Sequence, residues 1–302
     1  MTLPERADVV DLPRRRGPAR AVLVSLRPRQ WTKNLLLFAG IIFAAKLGDA
    51  WRWLEALAAF AAYCAASSAA YLVNDLRDAS HDRVHPVKRT RPIARGEVSA
   101  RAAYALAAVL LAAAVALVAP LGLASLAFLA GFVGLQAAYT LRLKHVVLID
   151  VMTIAGLFVV RAAAGAAGVH VRISPWLLLC TALLALFLAL AKRRGELVLV
   201  GAEATPGRPV LEGYSLALVD QLVSVVAAST VIAYSLYTFT ARDSKTMMVT
   251  IPFVLFGVFR YLLLVHNHDL GEEPERVLLA DRQLIAAVAT WGLTAALILA
   301  LS

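Results

Sequence analysis

The sequence predicts an all-helical membrane protein, and three observations carry that prediction. The 302 residues are 61% hydrophobic and only 17% charged, whereas a soluble domain is roughly half apolar and about a quarter charged. The apolar residues fall into long runs, and a helix needs about 20 such residues to cross a bilayer. The 30 Lys and Arg residues outnumber the 20 Asp and Glu residues. In a membrane protein this excess indicates cytoplasmic loops and contact with anionic lipid, so we expect no nucleic-acid partner.

Apolar runs of sufficient length divide the chain into about nine predicted membrane-spanning helices. They cover approximately residues 31–48, 54–73, 101–119, 121–139, 147–168, 174–192, 217–240, 247–266 and 283–301. The run from 101 to 139 is nearly continuous, and Pro120 and Gly122 mark its turn. An odd number of spans places the two termini on opposite sides of the membrane.

The distribution of basic residues predicts the orientation, because Lys and Arg collect in loops that stay on the cytoplasmic side. With the N-terminus inside, the outer loops carry only Lys46, Arg52, Arg172, Arg242 and Lys245. The three longest polar loops, 74–100, 193–216 and 267–282, all lie inside. We therefore expect a multi-pass protein of the plasma membrane whose N-terminus and active site face the cytoplasm.

The N-terminal segment, residues 1–26, is a basic tail rich in Arg and Pro. It has no apolar run long enough for a secretory signal. We expect this tail to be cytoplasmic and disordered, and residues 27–302 to form one polytopic transmembrane domain. The two cysteines, Cys64 and Cys180, lie within apolar runs, which excludes a disulfide framework.

The first long inner loop opens with a row of carboxylates. Asp75, Asp78 and Asp82 have the spacing i, i+3, i+7, which places them on one face of a helix. Like charges so arranged repel, and Mg²⁺ relieves that repulsion when carboxylates hold it together with water and substrate phosphates. Cations that suit phosphate groups follow at once, namely Lys88, Arg89 and Arg91. The row indicates a diphosphate site, although a solvated helix end paired with Arg77 and Arg83 would have the same composition.

Further polar residues lie within the predicted spans or at their inner ends, where charged groups are costly and often functional. They are Lys33, Tyr139, Arg142, Lys144, Asp150, Arg161, Lys192, Arg193 and Arg260. Simpler interpretations stay open, because Lys33 could anchor its helix by snorkelling and residues 192–194 could be a positive-inside anchor. Asp150 and Arg161 are eleven residues apart, so they share a helix face but are too distant to form an ion pair.

Longer motifs resemble those of a known family, the UbiA superfamily of intramembrane prenyltransferases. Asn74-Asp75-x-x-Asp78-x-x-x-Asp82 resembles its first Asp-rich motif. Four further blocks resemble its decaprenyl-phosphate phosphoribosyltransferase branch: Arg27-Pro28-x-Gln30-Trp31-x-Lys33-Asn34, residues 82–94, Tyr139-x-Leu141-Arg142-Leu143-Lys144 with Asp150, and Arg276-Val277-Leu278-Leu279-x-Asp281. Where other members carry a second Asp-rich motif, this chain has three cations and one acid in residues 192–196. Those cations suit a phosphorylated sugar and a lipid phosphate, which together carry more negative charge than a prenyl diphosphate with a neutral aromatic acceptor.

The resemblance implies a Mg²⁺-dependent membrane enzyme that transfers 5-phosphoribose from 5-phosphoribosyl 1-diphosphate to polyprenyl (decaprenyl) phosphate, for a cell-wall arabinan (arabinogalactan) precursor. It implies a helical bundle around a central cavity open to the cytoplasm and laterally to lipid, and it is compatible with a homo-oligomer. The catalytic and metal-binding residues would be Asp75, Asp78 and Asp82. The substrate-binding residues would be Lys33, Asn74, Arg83, Lys88, Arg89, Arg91, Tyr139, Arg142, Lys144, Asp150, Arg161, Lys192, Arg193 and Glu196.

Two other functions stay open at this point. A prenyltransferase acting on an aromatic or haem-type acceptor would use a prenyl diphosphate, and the basic segment 192–194 counts against it. A transporter would account for the apolar spans and for the intramembrane Asp150 and Arg161. It leaves the carboxylate row unexplained.

Overall fold

The structure is a computed structural model that describes the chain except for residues 1–14, 45, 47, 85–87, 204–208, 241–244, 268–279 and 302. Every regular element among the described residues is helical, which confirms the predicted fold class. The α-helices are α1 (Pro18–Ser25), α2 (Ala39–Phe43), α3 (Ala50–Arg77), α4 (Ala79–Val84), α5 (Ala100–Val118), α6 (Leu123–Leu141), α7 (Ile149–Gly168), α8 (Pro175–Glu203), α9 (Leu216–Thr240), α10 (Ile251–Asn267) and α11 (Arg282–Leu301). Short 3₁₀ segments cover Pro28–Phe38, Lys88–Thr90, Ala119–Leu121, Leu143–His145, Pro209–Gly213 and Lys245–Thr250.

Seven helical segments in the described part of the chain are long and apolar enough to cross a membrane. They are Ala50–Arg77, Ala100–Leu121, Leu123–Leu141, Ile149–Gly168, Pro175–Leu199, Leu216–Thr240 and Lys245–His266. The chain is therefore a multi-pass membrane protein. The predicted count of about nine is not confirmed, because the first and last predicted spans differ from the other seven.

The first predicted span, 31–48, is not one long helix. The chain there forms the 3₁₀ segment Pro28–Phe38 followed by the five-residue α2. The physical reason lies in the composition, because residues 28–34 are mostly polar and the following apolar run covers only about eleven residues, where a span needs about 20. The last predicted span corresponds to α11, whose apolar part, Arg282–Ile298, is shorter than the seven.

The chain divides into two compact units. The first unit comprises Met1–Thr32 and Ala62–Ala116, and the second comprises Lys33–Ala61 and Leu117–Ser302. In the first unit, α1, the C-terminal part of α3 and α5 share an apolar core that includes Ala21, Leu72 and Ala103, all with no exposed surface.

In the second unit, the main core is formed by α7 to α11, with Phe187, Val219 and Tyr261 among its buried residues. Helix α2 also lies very close to α7. A Cβ atom added to Gly40 would come within 2.7 Å of the Ala166 backbone, so only glycine permits this approach.

Part of the predicted disordered tail is ordered, and the rest, residues 1–14, lies outside the described residues. Residues 18–25 form α1, whose Ala21 and Ser25 are buried. Pro18 occupies the first turn of α1, where its missing N–H is not needed, and Ala21 packs in the core of the first unit. Basic composition alone did not indicate this buried face.

Candidate active site

The carboxylate row lies where α3 ends and α4 begins. The Asp78 backbone N–H donates to the Asn74 carbonyl oxygen at 2.9 Å, and the Asp82 N–H donates to the Asp78 carbonyl oxygen at 2.8 Å. These bonds have the α-helical i to i−4 pattern, so the helical path continues through the turn between the two helices. Asp75, Asp78 and Asp82 therefore lie on a nearly continuous helix, as their spacing predicts.

Two of these carboxylates converge on one cation. The Nη1 atom of Arg91 lies 3.2 Å from Asp75 Oδ1 and 2.7 Å from Asp82 Oδ2. Arg27 forms a second ion pair with Asp75 Oδ1. Asp75 and Asp82 are only 2% and 3% exposed, whereas the Arg27 and Arg91 side chains keep about a quarter of their surface exposed. We call Asp75, Asp78, Asp82, Arg27 and Arg91 the acidic cluster.

The backbone of Arg27 is unusual. Its φ of +53° lies in the left-handed region, although the residue is not glycine and precedes Pro28. A non-glycine residue held there costs about 1–2 kcal/mol, and such strain is often found at functional sites. The guanidinium also lies 4.8 Å from the centroid of the Tyr71 ring. Arg27 belongs to the sequence motif 27–34 but is not among the predicted substrate-binding residues.

The remaining predicted residues of this loop lie around the cluster. The Asn74 amide donates to Asp78 Oδ2 at 3.0 Å, and Arg83 Nε donates to the Ala94 carbonyl oxygen at 3.2 Å. Lys88 and Arg89 are half-buried in their 3₁₀ segment. Among the described residues, no group of three or more His, Cys, Asp or Glu side chains is close enough to hold a metal ion. The structure thus brings two of the three predicted metal ligands together, Asp75 and Asp82, at the Arg91 guanidinium.

The second unit contains a buried cluster built on Asp150. Arg193 Nε donates to Asp150 Oδ2 at 2.7 Å, and Arg193 also pairs with Glu196, one turn further along α8. The Tyr214 hydroxyl donates to Asp150 Oδ1 at 2.6 Å. Asp150 and Arg193 have no exposed surface. We call Asp150, Arg193, Glu196 and Tyr214 the Asp150 cluster.

Sequence reasoning missed Tyr214, which follows the 3₁₀ segment Pro209–Gly213 within a loop that shows no periodic signal. Its hydroxyl accepts the Leu148 N–H at 2.7 Å, and Leu148, with φ of +66°, begins the turn into α7. Burial raises the pKa of Tyr214, and its hydrogen bond to the Asp150 carboxylate raises it further. The hydroxyl therefore stays protonated near neutral pH and holds Asp150 in place as a donor.

Arg161 is buried in the middle of α7, 5% exposed. Its Nε donates to Asn34 Oδ1 at 2.8 Å, and its guanidinium lies 4.6 Å from the centroid of the Phe132 ring. The expectation that Asp150 and Arg161 do not pair agrees with these contacts. Both residues instead bind partners on other elements of the second unit.

The other predicted residues of the second unit lie at helix ends or on helix faces. Lys33, Tyr139, Lys144 and Lys192 are half-buried and Arg142 is exposed. The sequence 192–196 lies inside α8, which continues to Glu203, so it is helical and not the start of a loop. Arg260, for which the sequence suggested no partner, forms a two-point ion pair with Asp281 at 2.7 and 3.2 Å. Of the predicted motif that ends at Asp281, Arg276 lies outside the described residues.

Comparisons with known proteins agree with these observations. A family model described as the UbiA prenyltransferase family matches residues 35–280. The decaprenyl-phosphate phosphoribosyltransferase of Mycolicibacterium smegmatis is 34% identical over 286 residues, covering 89% of each chain. That of Mycobacterium tuberculosis is 35% identical over 278 residues, covering 89% of this chain and 91% of the other. A solved structure of a UbiA homolog from Archaeoglobus fulgidus bound to GPP and Mg²⁺ has a TM-score of 0.71 at 18% identity. It covers 93% of this chain and 100% of the other, and at that identity the likeness shows the fold alone.

Proposed function

The chain belongs to the UbiA prenyltransferase family, and from this premise we propose that it transfers 5-phosphoribose from 5-phosphoribosyl 1-diphosphate to decaprenyl phosphate. It is a membrane enzyme, and two relatives that match about nine-tenths of its length carry the name of this activity. The product would be a precursor of cell-wall arabinan. The proposal also assigns a role to each charged cluster.

The observation that carries the proposal is the convergence of Asp75 and Asp82 on one guanidinium nitrogen. Two carboxylates that share one cation are a fitting pair for Mg²⁺, which binds through one or two carboxylates plus substrate phosphates. In the proposal these two residues hold the metal, and Asp78 is the third carboxylate of the row. When bound, Mg²⁺ offsets the negative charge that develops on the leaving diphosphate.

The acidic cluster also supplies cations, which a substrate rich in phosphate needs. Arg27 and Arg91 keep about a quarter of their surface exposed, so phosphate oxygens can reach them. Together with Lys88 and Arg89 they can donate charge-assisted hydrogen bonds to the diphosphate. Transfer then breaks the bond between ribose C1 and the diphosphate oxygen and forms a bond between C1 and an oxygen of the lipid phosphate. The acceptor is already an anion, so the reaction needs no catalytic base.

The predicted substrate-binding residues of the second unit fall into two groups, which differ in burial. Lys33, Arg142, Lys144 and Lys192 are not fully buried and are proposed to contact anionic substrate groups. Arg193 and Glu196 lie in the Asp150 cluster, where each acid and each base already has a partner, so they are proposed to position the Lys192 region of α8. Changing Lys192 to Gln should weaken use of one phosphate-bearing substrate by about 1.5–3 kcal/mol, the size of one charge-assisted contact. Unchanged kinetics would remove Lys192 from the binding site.

One alternative has an observation in its favour. The solved UbiA homolog from Archaeoglobus fulgidus binds GPP, a prenyl diphosphate, with Mg²⁺. This chain would then be a prenyltransferase acting on an aromatic or haem-type acceptor. The phosphoribosyl donor is favoured instead by the two decaprenyl-phosphate phosphoribosyltransferases, which are 34% and 35% identical to this chain. The basic sequence 192–194 adds little to that choice, because Arg193 and Arg194 are buried and paired with carboxylates.

A single assay separates the two functions. The purified protein in detergent with Mg²⁺ receives either labelled 5-phosphoribosyl 1-diphosphate with decaprenyl phosphate, or labelled prenyl diphosphate with an aromatic acceptor. The proposal expects a labelled lipid product only from the first pair, and none when decaprenyl phosphate is left out. An Asp82→Asn variant, which keeps the shape of the side chain and removes its charge, should form little product. A product only from the second pair would overturn the proposal.

We also propose that the acidic cluster faces the cytoplasm of a cell whose plasma membrane holds the protein. The exposed Ser80 of α4 offers a test, because a Ser80→Cys variant presents a thiol beside the cluster. The native Cys64 is buried and Cys180 lies within a span. A membrane-impermeant thiol reagent should label Ser80→Cys only after the membrane is opened. Labelling of intact cells would reverse the orientation.

A further inference from the structure

Ser67 of α3 carries a buried hydroxyl that is not hydrogen-bonded. The residue is 5% exposed, and its Oγ atom has no hydrogen-bond partner among the described residues. The other buried serines among the described residues have hydrogen-bond partners. Ser25 donates to the Ala21 carbonyl oxygen at 2.9 Å, and the neighbouring Ser68 donates to Leu26 O at 2.9 Å and accepts from Trp31 Nε1 at 3.0 Å. A buried polar group without a partner costs free energy, so its presence needs a reason.

The position of Ser67 on its helix links it to the acidic cluster. Ser67, Tyr71, Asn74 and Asp78 have the spacing i, i+4, i+7, i+11, and at 100° per residue they lie within an arc of about 60°. Ser67 therefore shares the helix face of Asn74 and Asp78. It lies seven residues from Asn74, about 10 Å along the helix axis. Tyr71 is between them, and its ring is covered by Arg27, which pairs with Asp75.

The chemistry of this face changes with depth. From residue 60 to residue 73 the sequence contains no charged side chain, whereas Asp75, Asp78, Arg27 and Arg91 follow at the end of α3. The charged end suits a diphosphate and its metal. The deeper part offers neutral hydroxyl groups, which can donate to and accept from sugar hydroxyls but cannot neutralise a phosphate.

We propose that Ser67, assisted by Tyr71, forms a subsite for the ribose hydroxyls of the donor. The inference rests on the proposed phosphoribosyl transfer and specifies how the donor lies along α3. The diphosphate would be at the acidic cluster and the ribose ring about one to two helical turns deeper. The unpartnered hydroxyl of Ser67 is then kept because the substrate satisfies it, and Ser67 helps to select a ribose over a deoxyribose.

The test uses competitive inhibitors that contain only part of the donor. Ribose 5-phosphate, its 2-deoxy and 3-deoxy analogues, and inorganic diphosphate are titrated against phosphoribosyl transfer by the wild-type enzyme and by Ser67→Ala. In the wild type, ribose 5-phosphate should bind about two- to tenfold more tightly than at least one deoxy analogue, the size of one neutral hydrogen bond. Ser67→Ala should lose that preference while its inhibition constant for diphosphate stays the same. Tyr71→Phe, which keeps the ring beneath Arg27, should reduce the preference by a smaller factor.

Stability measurements separate this role from a structural one. Because Ser67→Ala removes an unpartnered hydroxyl, its melting temperature should equal or exceed that of the wild type. Ser25→Ala is the matched control, since it also removes a buried hydroxyl from the first unit and should leave every inhibition constant unchanged. An unchanged preference in Ser67→Ala overturns the inference, and so does a lower melting temperature with equal weakening of all inhibitors. If the wild type transfers no phosphoribose at all, the proposed function fails, and this is seen before any variant is made.

Discussion

The acidic cluster and the Asp150 cluster both contain arginine–aspartate ion pairs, but the pairs lie in different surroundings. In the Asp150 cluster both partners are fully buried and a tyrosine hydroxyl satisfies the second carboxylate oxygen. In the acidic cluster the carboxylates are buried, but Arg27 and Arg91 remain about a quarter exposed. The Asp150–Arg193 pair is therefore shielded from solvent by its neighbours, whereas solvent and solutes can contact the arginines of the acidic cluster.

The difference indicates that burial, more than residue type, decides how readily an arginine–aspartate pair can open. Breaking a buried ion pair leaves an uncompensated charge in a low dielectric, so such a pair mainly fixes the structure around it. A pair whose cation is partly exposed costs less to open. We therefore propose that the carboxylates of the acidic cluster can exchange a guanidinium for a metal ion, which leaves the guanidinium free to bind phosphate. The Asp150 cluster instead holds α7, α8 and the Tyr214 segment together.

The largest effect should come from removing divalent cations. Excess EDTA should reduce phosphoribosyl transfer by about a hundredfold or more, since a metal supplies several kcal/mol of charge stabilisation. The measurement is the amount of labelled lipid product, with recovery on adding Mg²⁺. EDTA already saturated with Mg²⁺ is the control. Full turnover in excess EDTA would make the acidic cluster a purely structural set of ion pairs, and the contrast between the two clusters would disappear.

The next largest effect should be on stability, in the Asp150 cluster. Arg193→Gln should lower the free energy of unfolding by about 3–5 kcal/mol, because Asp150 and Glu196 lose their buried counter-charge. Arg27→Gln is the matched change in the acidic cluster and should cost less, because the buried Asp75 keeps Arg91 as a counter-charge. Thermal unfolding in detergent compares the two variants. Equal losses of unfolding free energy in the two variants would mean that the exposure of the arginine does not determine how much each ion pair stabilises the protein.

A smaller effect, on turnover alone, should follow changes to single carboxylates of the row. Asp78→Ala and Asp82→Ala should each lower turnover by at least about tenfold while the protein remains folded. The reason is that these carboxylates are proposed to hold the metal and the diphosphate and are not part of the apolar core. Asp82→Asn separates the loss of charge from the loss of shape. Kinetics like those of the wild type, with a lowered melting temperature, would assign these residues to the fold and not to catalysis.

The sequence could predict the carboxylate row because its geometry is local. Asp75, Asp78 and Asp82 follow helical spacing, and the hydrogen bonds through the turn after α3 preserve it. Seven of the spans were predictable for the same reason, since each is a single apolar run. The first predicted span failed where the apolar run was too short and the preceding polar residues formed a 3₁₀ segment.

The partners of the charged residues could not be predicted, because they come from distant parts of the chain. Arg27 is 48 residues from Asp75, and Tyr214 is 64 residues from Asp150. Spacing along a helix carries no information about such contacts. The left-handed backbone at Arg27 also has no sequence signal, since the residue before a proline ordinarily prefers an extended conformation.

The smallest effect should come from the turn at residues 88–97, which positions Arg91 beside Asp75 and Asp82. Arg16 donates to Glu97 Oε2 at 3.0 Å and to the Thr90 carbonyl oxygen at 3.0 Å, and Arg95 lies 3.2 Å from Glu97 Oε1. Burial acts to raise the pKa of Glu97, but the hydrogen bonds from Arg16 and the charges of Arg95 and Arg16 outweigh it, so the pKa lies below its usual value.

A carboxyl group whose pKa is lowered by folding stabilises the protein above its unfolded pKa, and that contribution is lost as the pH falls through the folded pKa. Wild-type protein should therefore lose stability on acidification below about pH 4.5, and Glu97→Gln should lose less by up to about 1 kcal/mol, the size of a partly exposed ion pair. Melting temperatures at pH 7 and pH 4 measure the difference, with the exposed Glu212→Gln as the control. If Glu97→Gln and Glu212→Gln respond alike to acid, then Glu97 does not hold this turn, and the accessibility of Arg91 has another origin.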